Sequence, residues 1–351
     1  MISNRKLLFS ITAIILSVYF LFLGLSKAKG FFAPLITAVI LSLVVLPLSK
    51  RLENFMKRPL AALLNSLLLF VISIGFMTLI SFQIRSFTED WPKIQETMKP
   101  KIEQLKTFAL EHTPLESKDI KEAQNNSSIK DARISERVTT FISKLSSFIA
   151  NYLLTFVYVF FLLNYRHIFR NFLLRIMPDK KKNTVETIIS KSAKVAPQYL
   201  IGKLMLMALL AVLYSVGLGI SGVNNFILVS VIAALLTLIP YVGNVIGFTM
   251  AVAFGFLSSG DITVLIGIAL TFTITQFVES YVLQPYVVGD RVDVHPFFVI
   301  LVVILGNMVW GILGMILAIP IMGILTVVLL HINELRPLGI LLSKQGFDNN
   351  K

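Results

Sequence analysis

Long apolar runs separated by short charged segments dominate the pattern along this chain. The runs fall at 7–25, 31–49, 60–83, 149–165, 204–221, 226–257, 262–283 and 297–331. Most approach or exceed the roughly 20 residues that carry a helix across a hydrocarbon core of about 30 Å. The pattern predicts an all-α polytopic membrane protein with about eight spans. Two runs are too long for one straight crossing. The run 226–257 would make about 48 Å of helix at 1.5 Å per residue. Within it Pro240 lacks a backbone donor and disfavours helix at Ile239, while Gly243 and Gly247 remove side-chain bulk. The run 297–331 is interrupted in the same way by Gly306, Gly311, Gly314 and Pro320. Broken or re-entrant helices are therefore expected in the C-terminal half, with these prolines and glycines as hinge or gating positions.

Between the third and fourth runs the pattern changes. Ile84, Phe87, Trp91, Ile94, Met98, Ile102 and Leu105 recur at helical spacing, and the stripe resumes at Ile134, Val138, Phe141, Leu145 and Phe148. The intervening Asn125-Asn126-Ser127-Ser128 reads as a turn. This is an out-and-back helical arm whose apolar face packs on itself, on a neighbouring subunit or on the membrane surface. The expected organisation is a three-span segment at 1–83, an extracytoplasmic arm at 84–148 and a fourth span with a basic cytoplasmic loop at 149–203. A transport-like membrane core follows at 204–331, and a cytoplasmic tail at 332–351.

Composition agrees with the pattern and charge adds an orientation. The 351 residues are 56% hydrophobic and 15% charged, with a mean hydropathy of +0.80. A soluble domain would carry about 25% charged residues. The formal net charge of +13 gathers beside the spans instead of forming a nucleic-acid footprint, so no nucleic acid is expected. Segment 50–58 holds Lys50, Arg51, Lys57 and Arg58 against Glu53, and 166–203 holds nine Lys/Arg against Asp179 and Glu186. Both belong on the cytoplasmic side. The insert 84–148, with eleven basic and ten acidic residues, fits the outside. Eight crossings then leave both termini in the cytoplasm. Arg5 and Lys6 precede a first helix that reads as retained rather than cleaved. No cysteine is present.

A few polar groups interrupt the apolar half. Glu279 stands near the end of the seventh run, with Gln276 three residues earlier on a shared helical face. Its burial requires a proton or a partner, and Arg291 is a candidate. Glu279 serves either as a proton or solute station or as a structural carboxylate capping the broken segment that follows. Asn244 faces the same path or belongs to a close-packed hinge. The segment Gln284 to Pro296 has Pro285 and Pro296 as helix punctuation and Gly289 at an unusual turn, while Asp290, Arg291, Asp293 and His295 are expected to pair among themselves. His112, His167, His295 and His331 are scattered, so no metal site is expected. Phosphate-loop, HExxH and GxSxG elements are lacking, and neither an enzyme nor a cofactor is indicated.

Three pieces carry a family likeness: Ile239-Pro240-Tyr241-Val242-Gly243; Glu279 followed by Gln284-Pro285 and Gly289; and His295-Pro296 followed by the run from Gly311 to Pro320. In their order, over almost the full length, the chain resembles the autoinducer-2 exporter family of PerM-like bacterial permeases. The resemblance implies eight spans in the bacterial cytoplasmic membrane, export of a small polar solute such as autoinducer-2, and a homo-oligomer in contact with membrane lipids. Some relatives of this kind look like sodium or lithium/proton antiporters, which is the alternative. Glu279, Gln276, Asn244, Asp290 and Arg291 would then be the stations for solute, proton or cation.

Overall fold

The structure is a computed structural model that describes residues 4–75, 78, 152–238, 242–259, 261–288 and 292–344. The expected arm at 84–148 lies outside the described residues, as do Ile239, Pro240, Tyr241, Gly289, Asp290 and Arg291. Among the described residues the fold is all-helical. In chain order the helices are α1 (Asn4–Lys27), α2 (Lys29–Leu52), α3 (Arg58–Gly75), α4 (Tyr152–Ile176), α5 (Asp179–Ile220), α6 (Phe226–Leu236), α7 (Val242–Ser259) and α8 (Ile262–Val278). A π-helical segment, Glu279–Val288, continues α8, and α9 (Pro296–Trp310), α10 (Ile312–Leu330) and α11 (Arg336–Leu342) complete the series. Six of the described helices are long and apolar enough to cross a bilayer. The protein is a polytopic membrane protein.

The chain divides into two units, and α5 contributes to both. The first comprises residues 1–67, 151–202 and 289–351. Its core joins Ala33 and Ile40 of α2, Ala196 of α5, Trp310 of α9 and Leu317 of α10. The Trp310 indole donates to the Leu25 carbonyl at 3.1 Å, satisfying the ring's one polar atom. The 297–331 run is split, as expected, but at one place. Gly311 takes φ +67° and ψ −142°, a conformation open essentially to glycine alone, and the chain reverses there. A Cβ on Gly306 or on Gly314 would collide with the other's carbonyl, so two backbones touch where α9 folds back on α10. Pro320 does not break the run. It is buried inside α10, and its expected role as an interruption is corrected.

Charged groups tie the ends of α2, α3 and α4 together in this unit. Arg166 donates through Nη1 and Nη2 to the two oxygens of Glu53 at 2.6 and 2.5 Å. Ser49 donates to the same carboxylate at 3.2 Å, and the Arg58 guanidinium stands 3.6 Å away. Burial opposes ionisation of Glu53, but the Arg166 fork, Ser49 and Arg58 outweigh it and hold its pKa below the ordinary value of 4.5. The basic stretch 166–203, expected as a loop, is almost wholly helical: α4 continues to Ile176 and α5 begins at Asp179. Its charges lie on helices that extend apolar spans, which charge counting cannot distinguish from a loop.

The second unit holds residues 68–150 and 203–288. Leu206, Leu210, Tyr214 and Leu218 recur every four residues along α5 and present one buried stripe. Against it pack Val229 and Ala233 of α6, Ala251 and Phe254 of α7, and Ile268 and Phe272 of α8. The 226–257 run is broken where the sequence predicts. At 11 residues α6 is about 16 Å long, too short to cross the hydrocarbon core. α7 then packs back along it. A Cβ on Gly243 would strike the backbone at Leu236 and Thr237, and one on Gly247 would come within 3.0 Å of the Ala233 methyl. The falling partner numbers make the pair antiparallel.

Candidate functional site

The second unit contains a carboxylate that an apolar core does not by itself explain. Glu279 is 6% exposed and stands at the junction where α8 gives way to the π-helical turn. Pro285 lies inside that segment and does not punctuate it. Having no N–H, it cannot make the bond that an α-helix would direct at the Tyr281 carbonyl, and the wider π turn suits that loss. The expected helix stop at Pro285 is thereby corrected. A π turn is frequent at functional sites because it re-aims side chains that an α-helix would stack.

Two groups face the Glu279 carboxylate. Lys203, half-buried on α5, is the cation whose charge acts on it, and the Asn244 amide is its side-chain hydrogen-bonding neighbour. The second oxygen, Oε2, has no hydrogen-bond partner among the described residues although it is buried. Asn244 Oδ1 is likewise buried and unpartnered. Such atoms are uncommon in native cores, and each needs a reason such as a proton, a water or a ligand. Tyr214, 1% exposed, lies within electrostatic reach of Glu279 and stacks on Phe272 with ring centroids 4.7 Å apart.

Asn244 connects this carboxylate to the surface of the unit. Its Nδ2 donates to Gln276 Oε1 at 2.5 Å, and Gln276 Nε2 donates to Ser280 Oγ at 3.1 Å. Asn244 and Gln276 also line a cleft of about 480 Å³ between α7 and α8, together with Phe248, Phe272 and Thr273. The cleft thus offers amides and a hydroxyl between two aromatic faces. Behind it sits an acidic group that a neighbouring lysine balances. Val245 and Ala269 complete a mostly apolar lining, so a small solute with an apolar face and a few hydroxyl or carbonyl groups for the two amides and the Thr273 hydroxyl matches it.

These features agree with what the chain is related to. The family model described as AI-2E family transporter matches residues 8–334. The chain belongs to the AI-2E transporter family. "Putative transport protein YueF" of Bacillus subtilis is 25% identical over 326 residues, covering 87% of this chain and 85% of that protein. "Putative transport protein YrrI" of the same organism is 29% identical over 138 residues, covering 39% of this chain and 38% of the relative. In Mycobacterium tuberculosis, "Putative transport protein MT0215" is 32% identical over 104 residues, 30% of this chain and 28% of its own. Membership in the AI-2E family makes this a membrane transporter.

Of the residues singled out from sequence, Glu279, Gln276 and Asn244 come together in one unit. Asp290 and Arg291, together with the hinge candidates Pro240 and Gly289, lie outside the described residues. The expected pairing of Asp293 with Asp290 and Arg291 falls on residues outside the described ones. The Asp293 carboxylate accepts from Ser343 Oγ at 2.5 Å and from the Lys344 backbone N–H at 2.8 Å. His295 caps α9, accepting from the Phe297 N–H at 3.3 Å. Sequence reasoning missed Lys203 and Tyr214. Lys203 falls one residue before the run 204–221, at the end of the basic stretch 166–203. Its signal was the apolar sequence on both sides, Tyr199-Leu200-Ile201 and Leu204-Met205-Leu206. A cation so placed must find a partner.

Proposed function

We propose that this member of the AI-2E family is a secondary transporter that exports a small polar organic solute such as autoinducer-2 across a bacterial cytoplasmic membrane, with both termini in the cytoplasm. One observation carries the reading: Asn244 touches both a cleft, where it and Gln276 set two amides in a mostly apolar lining, and a buried, incompletely satisfied carboxylate. A solute in the cleft that exchanges hydrogen bonds with Asn244 and Gln276 changes what Glu279 feels. Proton or cation occupancy of Glu279 changes what the cleft presents. That reciprocity is the requirement for coupling two ligands. The broken pairs α6–α7 and α9–α10 give the backbone places to rearrange without unfolding a full span.

Monovalent cation/proton exchange is the second reading, favoured by Glu279 Oε2, which has no hydrogen-bond partner among the described residues and is a hard oxygen ligand suited to sodium or lithium. The experiment that separates the two is movement of labelled autoinducer-2 in proteoliposomes under imposed proton and sodium gradients. Saturable movement above empty vesicles, driven by one gradient, supports the exporter. Robust sodium-dependent proton exchange with no organic solute moving assigns the antiporter and removes the first reading.

A further inference from the structure

A basic recess lies in the first unit and plays no part in the cleft just described. It is a trough of about 810 Å³ between α2, α4 and α5. Its apolar wall includes Val39, Leu43 and Leu46 of α2 with Leu162, Phe169 and Leu173 of α4. Four cations line it, Lys50, Arg166, Arg170 and Lys194, against one carboxylate, Glu186. Two of the four are already engaged: Arg166 with Glu53, and Arg170 with Glu186. Lys50 and Lys194 are exposed and have no carboxylate partner among the described residues. The trough therefore joins an oily wall to unneutralised positive charge.

We propose that this trough is a binding site for an anionic phospholipid, with an acyl chain along the α2–α4 wall and the phosphate held by Lys50 and Lys194. The occupant follows from the chemistry of the lining. A soluble anion would use the lysines and leave Val39, Leu43, Phe169 and Leu173 without purpose. A zwitterionic lipid would bring an ammonium into a rim that is already cationic. An acidic phospholipid alone satisfies both halves, and basic pockets between membrane helices are suited to such headgroups. The bidentate Arg166–Glu53 contact and the Arg170–Glu186 pair fix the α2 and α4–α5 ends around the trough, so the rim is formed before a lipid arrives.

Native mass spectrometry of the full-length protein in detergent tests this directly. Phosphatidylglycerol and phosphatidylcholine of equal chain length are titrated in parallel, with sn-glycerol 3-phosphate as a headgroup lacking chains. The expected result is phosphatidylglycerol retained about tenfold better than phosphatidylcholine, a difference of ~1.4 kcal/mol. Lys50→Gln/Lys194→Gln should abolish that preference, while Lys57→Gln/Lys180→Gln, removing two exposed cations outside the trough, should keep it. Leu43→Trp, which fills the wall and leaves the charge intact, should weaken lipid retention at least fivefold. All four lysines are exposed, so the paired variants are expected to fold as the parent does, checked by thermal melting. Equal retention of the two lipids, equal loss in both lysine pairs, or competition by glycerol phosphate as effective as the whole lipid would each overturn the proposal.

Discussion

At the scale of the residue, coupling depends on which groups a buried carboxylate can reach. Glu279 has Lys203 as counter-charge and Asn244 as amide neighbour. Removing one of two opposite charges that act on each other inside a membrane protein leaves the other uncompensated, whereas replacing both with apolar residues of similar volume is often neutral. Lys203→Met should therefore lower the melting temperature in detergent clearly more than Lys203→Met/Glu279→Met. If the double variant melts no higher than the single one, Lys203 is not the partner. Asn244→Ala should retain the fold but impair transport by about tenfold, since it removes the amide beside the buried Glu279 carboxylate, where an unsatisfied buried group costs ~1–3 kcal/mol. Solute flux at equal reconstituted protein checks this.

Glu279, Gln276 and Asn244 were legible because polar residues inside apolar runs are rare and membrane physics demands a reason for each. The connection between them was not. Asn244 and Gln276 are 32 positions apart, and only the reversal of α7 against its neighbours brings their amides together. Lys203 was harder to read for a different reason: a charge at the margin of a run looks like the flank of a membrane span, and only the apolar sequence on both sides of it, carried through in α5 as one helix, tells the two apart.

At the scale of the element, the apolar runs gave the helices and the glycines and prolines gave the breaks, with two exceptions that share a cause. Pro320 and Pro285 each sit within a helix that continues past them. A proline forbids one backbone hydrogen bond, and packing or a local π turn can absorb that loss. Gly311 cannot be replaced in this way, because its positive φ excludes side chains. Gly311→Ala should cost about 1–3 kcal/mol and separate α9 from α10, whereas Pro320→Ala should leave the reversal in place. Melting temperatures of the two variants in one detergent decide between these outcomes.

The cluster at the end of α2 adds a pH signature to this level. The Glu53 carboxyl is held below its ordinary value of 4.5, so its contribution to stability is complete above that value and is lost as pH falls through the lower folded-state pKa. Glu53→Gln should flatten the acid limb of the stability profile. An unchanged acid limb would mean that Arg166 gives the carboxylate no net preference for the folded state.

At the scale of the whole molecule, a polytopic helical protein of the AI-2E family has an amide-bearing cleft and a buried carboxylate in one unit and a basic, oil-walled trough in the other. The central claim is that the α7–α8 cleft is the solute path. The absence of cysteine from the chain makes that claim directly measurable with a single introduced thiol. Thr273 lines the cleft, is exposed and makes no part of the Asn244–Gln276–Ser280 chain. The decisive measurement is labelling of Thr273→Cys by a membrane-impermeant, water-soluble maleimide in proteoliposomes that transport the solute. The account predicts that the thiol reacts, that labelling stops transport, and that saturating solute protects it. A thiol that is unreactive, or one that is fully labelled while transport continues unchanged, would contradict it.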